Sequence, residues 1–170
     1  MGDHVLFVID IVSRMVEIAG IGRDFGGRWM EQMARNLVDA EDGLLRGRRY
    51  VIIDRDRLHT AAFRGILKAA GVKAVRLPAM SPNLNAYAER FVKTIECECL
   101  KQFVIFGERH LRYLIKEFMK HYHTERFHRG FGGQLIKGQP GSANDNGSNG
   151  SIVRRSRLGG LLNCYHREAA

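Results

Sequence analysis

Residues 50–56, Tyr-Val-Ile-Ile-Asp-Arg-Asp, and residues 81–90, Ser-Pro-Asn-Leu-Asn-Ala-Tyr-Ala-Glu-Arg, decide the fold expected of this chain. The first stretch begins with an apolar, β-branched run that predicts a strand ending at Asp54. A helix and another strand are predicted next, and the second stretch then opens a helix that carries Glu89. This order can bring two carboxylates together at one edge of a sheet. Hard cations such as Mg²⁺ bind such carboxylates.

The composition is that of one basic globular domain. The chain has 170 residues, of which 45% are hydrophobic, and a formal net charge of +9. A chain of this length can bury one ordinary core. Its charge makes an acidic polymer the natural partner, although a basic surface without any ligand has the same composition. Charge therefore supports DNA binding without proving it.

The cysteines and the apolar runs argue against several other classes of protein. Cys97, Cys99 and Cys164 form no CxxC pair and have no neighbouring His at the spacing of metal ligands, so a zinc site is not expected. Their odd number and the lack of a signal peptide fit a reducing cytoplasm. The apolar runs are short and broken by charges, which predicts no membrane partner.

The apolar pattern predicts the order strand, strand, helix, strand, helix, strand, helix, helix. The predicted strands cover residues 5–11, 15–21, 50–54 and 72–77. The predicted helices follow Gly26-Gly27, span residues 60–70, open at Pro82 and Asn83, and cover Leu111 to Tyr122. In the third helix, expected to run to about Phe103, the predicted buried stripe consists of Ala88, Val92, Ile95 and Cys99.

The last quarter of the chain differs in composition from the rest. Residues 131–151 are rich in Gly, Ser, Asn and Asp, which predicts a flexible linker. It would follow a core at residues 1–130 and precede a basic, partly apolar tail at residues 152–170. The pattern leaves the structure of the tail open.

Three groups of residues carry a resemblance to a known family. They are Asp54-Arg55-Asp56, the segment at 81–90, and His121-Tyr122 followed by Arg126 and His128-Arg129. In this order they resemble the catalytic core of DDE transposases and retroviral-type integrases, especially bacterial insertion-sequence transposases. The resemblance runs from about His4 to Gly130 and resumes at residues 154–163. It implies a cytoplasmic bacterial protein with a ribonuclease H-like fold, an α/β fold with a mixed sheet flanked by helices.

The resemblance also implies a chemistry. Family members cleave DNA and transfer its strands with Mg²⁺ or Mn²⁺, two ions in the intact enzyme, about 3.5–4 Å apart. Asp54 and Glu89 would be the catalytic and metal-binding residues, whereas Arg90 and Lys93 would contact DNA. The implied partners are the ends of an insertion element, the target DNA and further copies of the chain in a homo-oligomer.

Other roles for these residues stay open on the sequence alone. Asp54 can be a strand-end acid that pairs with Arg55 or caps the next element, and Asp56 is best explained as a turn residue or cap. Glu89 can be a solvated acid that is favourable at a helix N-terminus. Glu96 lies two turns further on, where related transposases usually carry Arg, and this reversal of charge should weaken contact with phosphate.

The core is expected to be incomplete in this chain. The family has three antiparallel strands before its first helix, and only two are predicted here. Asp10 matches the second of them and the following turn, whereas the first catalytic Asp lies on the preceding strand, so a third metal ligand is unaccounted for. We expect the 5–11 strand to lie beside the 50–54 strand, or the first hairpin to be poorly packed.

Further departures from the family support a partial or inactive form. Family members usually have an aromatic residue at the position of His59, a Pro at Phe127 and an Asn at His123. The histidines 121, 123 and 128 suggest a metal site, but these positions are structural in the family. The alternatives to a transposase core are a non-catalytic DNA-binding module and a ribonuclease H-type nuclease, which lacks the segment at 81–90.

Overall fold

Helices and short strands alternate along the chain in a mixed α/β arrangement. The computed structural model describes residues 3–23, 25–78, 85–138 and 151–167. The strands are β1 (His4–Ile9), β2 (Val16–Gly22), β3 (Tyr50–Ile53), β4 (Lys73–Arg76), β5 (Ile152–Arg157) and β6 (Leu162–Arg167). The α-helices are α1 (Gly27–Leu37), α2 (Ala61–Ala69), α3 (Ala86–Glu98) and α4 (Gly107–Thr124). The predicted order of the first eight elements is confirmed, and β5 and β6 follow it.

The chain divides into two compact units. The first comprises Met1–Ile9 and Val16–Val92, and the second comprises Asp10–Met15 and Lys93–Ala170. Within the described part of the chain, no helix combines the length and the apolar character that crossing a membrane requires.

The core of the first unit lies around α1 and α2. Its buried residues are Met30, Ala34, Leu37, Leu45, Phe63, Leu67 and Val72. Leu6 and Val8 of β1 pack on this cluster, as do Val51 of β3 and Ala74 of β4. Both pairs of strands therefore use the same two helices as their apolar support.

The described strands form three separate two-stranded sheets. β1 pairs with β2 in antiparallel fashion, and β3 pairs with β4 in parallel, from Tyr50 opposite Lys73 to Ile53 opposite Arg76. The expectation that the first strand would pair with the 50–54 strand is wrong, because β1 is tied to the unit by the packing of Leu6 and Val8 and not by a ladder to β3. The single mixed sheet of the ribonuclease H-like fold is not formed among the described residues.

Helix α3 corrects two details of the sequence analysis. Its predicted start at Pro82 and Asn83 lies outside the described residues, and it ends at Glu98 because Cys99 leaves helical geometry, at φ −136° and ψ −72°. A short 3₁₀ turn, Leu100–Gln102, follows. The predicted buried Val92 is wrong, since it is 38% exposed and Phe91 is buried instead. Phe91 continues the i, i+4 spacing of the buried Ile95 and Cys99, and its ring lies 4.9 Å from that of Phe7.

The C-terminal tail is a β-hairpin. β5 and β6 pair in antiparallel register, from Ile152 opposite Arg167 to Arg157 opposite Leu162. The connection turns through left-handed backbone at Leu158, Gly159 and Gly160, with φ values of 52°, 67° and 95°. Glycine adopts such angles without the steric cost of a Cβ, so the Gly-Gly pair permits the reversal. Residues 139–150, within the predicted linker, lie outside the described part of the chain.

Candidate functional site

Asp54 caps the turn that follows β3. Its Oδ1 accepts a hydrogen bond from the Asp56 N–H at 2.9 Å and lies 3.2 Å from His59 Nε2. Arg55 donates from Nε to the Leu77 carbonyl oxygen at 3.0 Å and so points to the strand beside β3. Asp54 thus neither pairs with Arg55 nor caps α2 but closes its own turn, and the proposed catalytic role remains a prediction.

His59 is the contact of Asp54 that the sequence analysis missed. Its side chain is 13% exposed, and its ring centroid lies 5.2 Å from that of Phe63. The imidazole therefore packs beside the Phe63 ring while its Nε2 reaches the Asp54 carboxylate. Its Nδ1 is buried without a hydrogen-bond partner in the described part of the chain. The one feature of the sequence that drew attention to His59 was that family members usually have an aromatic residue at this position.

The segment between Asp54 and α2 is held by further side chains. Asp56 Oδ1 accepts from the Leu58 N–H at 2.8 Å, so Asp56 is a turn residue as predicted. Thr60 is the N-cap of α2, where its Oγ1 accepts from the Phe63 N–H at 3.1 Å. These bonds satisfy backbone donors that would otherwise have no partner at a strand end and a helix start. The loop that carries Asp54 therefore has a defined conformation.

Glu89, Arg90 and Lys93 are all exposed on α3. Glu89 is in the first turn of the helix, and Lys93 follows it by one turn. A carboxylate in the first turn is favourable beside the positive end of the helix dipole, so the structural role of Glu89 also fits. No hydrogen bond or ion pair between described residues joins Glu89 to Asp54. The structure therefore does not join the two acids, and their shared metal site remains a prediction.

The carboxylates of Asp54 and Glu89 are ligands of the kind that a hard cation prefers. The described residues contain no group of three or more His, Cys, Asp or Glu side chains placed to hold a metal ion. Mg²⁺ prefers oxygen ligands and commonly uses only one or two carboxylates, together with water and phosphate oxygens. Binding of an ion by Asp54 and Glu89, with DNA and water as further ligands, remains a prediction.

The acid at position 96 has its own cation. Glu96 Oε2 lies 2.9 Å from Lys101 Nζ, and this hydrogen bond raises the pKa of Lys101. The negative charge that replaces the family's usual Arg is thus paired within the same part of the chain. The expected loss of phosphate contact at Glu96 is accordingly smaller than for an unpaired acid.

The three histidines near the end of α4 make structural contacts. His121 Nδ1 lies 3.2 Å from Glu125 Oε2, and both side chains are buried. His128 Nε2 lies 2.7 Å from the Tyr122 carbonyl oxygen, and burial lowers the pKa of His128. His123 is also buried, and its carbonyl oxygen accepts from the Lys137 N–H at 2.8 Å. These contacts hold the end of α4 and the segment after it.

Arg157 anchors the C-terminal hairpin to α4. Its Nη2 lies 2.6 Å from Glu125 Oε1, its Nε 3.0 Å from Glu125 Oε2, and its Nη1 2.8 Å from Glu117 Oε2. The Glu125 side chain is 4% exposed, and the Arg157 hydrogen bonds are the main reason that its pKa is lowered. The pKa of Glu117 is lowered by Lys120 and then by Arg157. No local sequence pattern indicates this ion-pair network, because Arg157 is far from Glu117 and Glu125 in the chain.

Comparison with known proteins supports one part of this picture. Residues 70–135 match a family model described as Integrase core domain. No curated protein matches the chain. The matched segment includes Glu89, Arg90 and Lys93 and begins after Asp54. The resemblance to an integrase or transposase catalytic core is therefore confirmed.

Proposed function

We propose that this chain acts on DNA as the catalytic core of a transposase or integrase, by metal-dependent cleavage and transfer of DNA strands. The observation that carries the proposal is the integrase-core match at residues 70–135, with Glu89 in the first turn of α3 inside it. The element ends and target DNA as partners, and a homo-oligomer, belong to the same proposal.

Asp54 and Glu89 are the residues proposed to bind Mg²⁺ or Mn²⁺. When bound, the ion would stabilise the negative charge that develops on the attacked phosphodiester. His59 is a positioning residue in this proposal, because its Nε2 lies 3.2 Å from Asp54 Oδ1 and limits the rotation of that carboxylate. Arg90 and Lys93 would bind phosphates on the exposed side of α3.

The proposed form of the enzyme is partial or inactive. Support comes from the described donor set, which offers no group of three metal ligands, and from the hydrogen bond that Asp54 already accepts from the Asp56 N–H. The same observations favour a second candidate, a non-catalytic DNA-binding module. Such a module needs only the exposed cations and no bound ion.

Binding of Mn²⁺ to the protein–DNA complex separates these two candidates. Asp54→Asn and Glu89→Gln should each weaken Mn²⁺ binding about tenfold, which corresponds to roughly 1.4 kcal/mol for a lost ligand. Asp56→Asn is the matched control, since it makes the same change of charge two residues away and should leave Mn²⁺ binding unaltered. Equal Mn²⁺ affinity in all the variants would favour the non-catalytic module.

A joining assay with labelled duplex ends and Mn²⁺ tests the partial form. We expect little strand transfer, and any activity should disappear in Asp54→Asn. Asp10 provides the counter-test, because its Oδ1 accepts from the Val12 and Ser13 N–H groups at 3.0 and 2.8 Å as a turn cap. Robust joining that Asp10→Asn abolishes would show that Asp10 is the first catalytic acid and that the core is complete.

Titrations with duplex DNA at several salt concentrations test DNA binding itself. Each neutralised phosphate contributes about −0.9 to the slope of log K against log salt. Arg90→Gln and Lys93→Gln should each make the slope shallower by about one such contact. A flat salt response in the unmodified chain would contradict the proposed function.

A further inference from the structure

The register of β5 and β6 divides the C-terminal hairpin into two faces. Arg157 and the buried Leu162 form a directly opposed pair on the inner face, where Arg157 binds Glu125 and Glu117. Arg154 and Tyr165 form such a pair on the opposite face. This face, here called the outer face, consists of Ile152, Arg154, Ser156, Asn163, Tyr165 and Arg167. All of these residues are exposed.

Arg154 is held in a defined position on the outer face. Its Nε donates to Asn163 Oδ1 at 2.8 Å, and Asn163 Nδ2 donates to the Gly160 carbonyl oxygen at 2.8 Å. Asn163 therefore links the Arg154 guanidinium to the turn of the hairpin. A cation held this way loses less side-chain entropy when it binds an anion than a freely rotating one does.

Tyr165 is an aromatic residue that the folded core does not use. It is 63% exposed, lies directly across from Arg154, and is followed two residues later on the same face by Arg167. Residues 152–167 contain no Asp or Glu, and Glu168 follows directly in the sequence. The outer face thus combines an accessible aromatic ring with positive charge on two sides.

We propose that the outer face of the hairpin binds single-stranded DNA, with Tyr165 stacked on an unpaired base and Arg154 and Arg167 bound to the adjacent phosphates. Exposed aromatic rings among basic residues bind single strands because an unpaired base offers its flat face, which stacking in a duplex hides. The choice of DNA over RNA rests on the proposed function. The proposed site uses none of the residues assigned above to metal or duplex DNA.

Fluorescence anisotropy of the full chain with a labelled short oligothymidylate tests this proposal. Stacking on one aromatic ring contributes about 1–3 kcal/mol, so Tyr165→Thr should raise the Kd about five-fold or more. Tyr165→Phe keeps the ring and should leave the Kd within about two-fold, since stacking does not need the hydroxyl. Threonine is chosen because it favours strands, and circular dichroism confirms that the variant stays folded.

Two arginine variants separate the outer face from general charge. Arg154→Gln should reduce the magnitude of the salt slope for oligothymidylate by about 0.7, the value for one phosphate on a single strand. Arg155→Gln is the matched control, because it removes the same charge from the inner face, where Arg155 lies 3.7 Å from Glu125. It should change the slope less than Arg154→Gln does.

The outcomes distinguish this inference from the proposed function. Equal oligothymidylate binding by the unmodified chain and Tyr165→Thr overturns the inference, and so do equal effects of Arg154→Gln and Arg155→Gln. Neither result bears on the proposed function, which is tested by the duplex salt response and by Mn²⁺ binding. Conversely, a flat duplex response together with ring-dependent binding of oligothymidylate contradicts the proposed function and supports the hairpin site.

Discussion

Replacement of Arg157 by Met should release the C-terminal hairpin from α4. Arg157 binds Glu125 at 2.6 and 3.0 Å and Glu117 at 2.8 Å, and the Glu125 side chain is 4% exposed. Removal of one member of a buried ion pair costs about 3–5 kcal/mol, because the other charge stays buried without compensation. Glu125 would keep its contacts with His121 at 3.2 Å and Arg155 at 3.7 Å. We therefore expect a cost at the lower end of this range, about 3 kcal/mol.

Hydrogen exchange of the β5 and β6 amides measures this loss directly. A decrease of about 3 kcal/mol in the free energy of local opening corresponds to roughly a hundred-fold faster exchange. Peptides from α1 should exchange at an unchanged rate and serve as the internal reference. Arg155→Met is the control variant, and it should accelerate exchange less than Arg157→Met does, because Arg155 is 57% exposed, lies 3.7 Å from Glu125 and leaves the closer contacts of Arg157 in place.

A second substitution tests the cause of the effect. If the cost arises from the stranded charge, Glu125→Gln added to Arg157→Met should restore part of the lost protection, because the glutamine can still hydrogen-bond to His121. Unchanged exchange in Arg157→Met would refute the reasoning, as it would show that the ion pairs do not hold the hairpin. A double variant less protected than Arg157→Met would show that the charge itself is not the cost.

The remaining predictions concern stability. The pKa of Glu125 is lowered by Arg157, and that of Glu117 is lowered by Lys120 and then by Arg157. The ionised carboxylates therefore stabilise the fold at a pH above 4.5, the ordinary pKa of a glutamate, and this stabilisation is lost as the pH falls below that value. Hairpin exchange, corrected for its intrinsic pH dependence, should therefore rise below that pH in the unmodified chain and much less in Arg157→Met. Gly20→Ala should lower the free energy of unfolding by about 1–3 kcal/mol, because a Cβ there would meet Met33 Sδ and lie 2.7 Å from Trp29 Cζ2. Gly65→Ala in α2 should instead stabilise the protein by up to about 1 kcal/mol, because no atom lies within 4 Å of the added Cβ. Equal melting temperatures of the two variants and the unmodified chain would contradict both expectations. Thr60→Ala should cost about 1 kcal/mol through loss of the N-cap of α2, and Thr60→Ser should retain it; a chemical denaturation curve unchanged by alanine would show that the cap does not matter.

The elements of the first unit were predictable because their signals are local. The apolar run before Asp54, the Gly after α2 and the spacing of Phe63 and Leu67 each depend on a few neighbouring residues. The buried stripe of α3 was not predictable in the same way, because Phe91 and Val92 are adjacent apolar residues and the local pattern does not show which of them is buried. The ring contact of Phe91 with Phe7, far away in the sequence, decides between them.

Contacts between distant residues account for what the sequence could not reveal. Arg157 and Glu125 belong to segments separated by the predicted linker, and no local pattern indicates that they meet. The tail also lacks the apolar alternation of a half-buried strand, since most residues of β5 and β6 are exposed. The pairing of strands also depends on residues that are distant in the sequence. The order of the elements was therefore predicted correctly while the partner strand of β1 was not. For Asp54, the sequence suggested a cap but did not identify His59 as its contact.

The one-sided pairing of β3 has a consequence for handling the protein. β4 covers one side of β3, and no strand covers the other side within the described residues. Tyr50 and Ile52 are 61% and 44% exposed, so β3 presents apolar side chains next to an unpaired backbone edge, and this edge can add a strand from another copy, the usual route to aggregation. Arg49 and Arg55 flank β3, and like charges on two approaching copies oppose such association. Salt screens that repulsion over about 10 Å at 0.1 M, so buffers that release bound DNA will also favour precipitation of the protein.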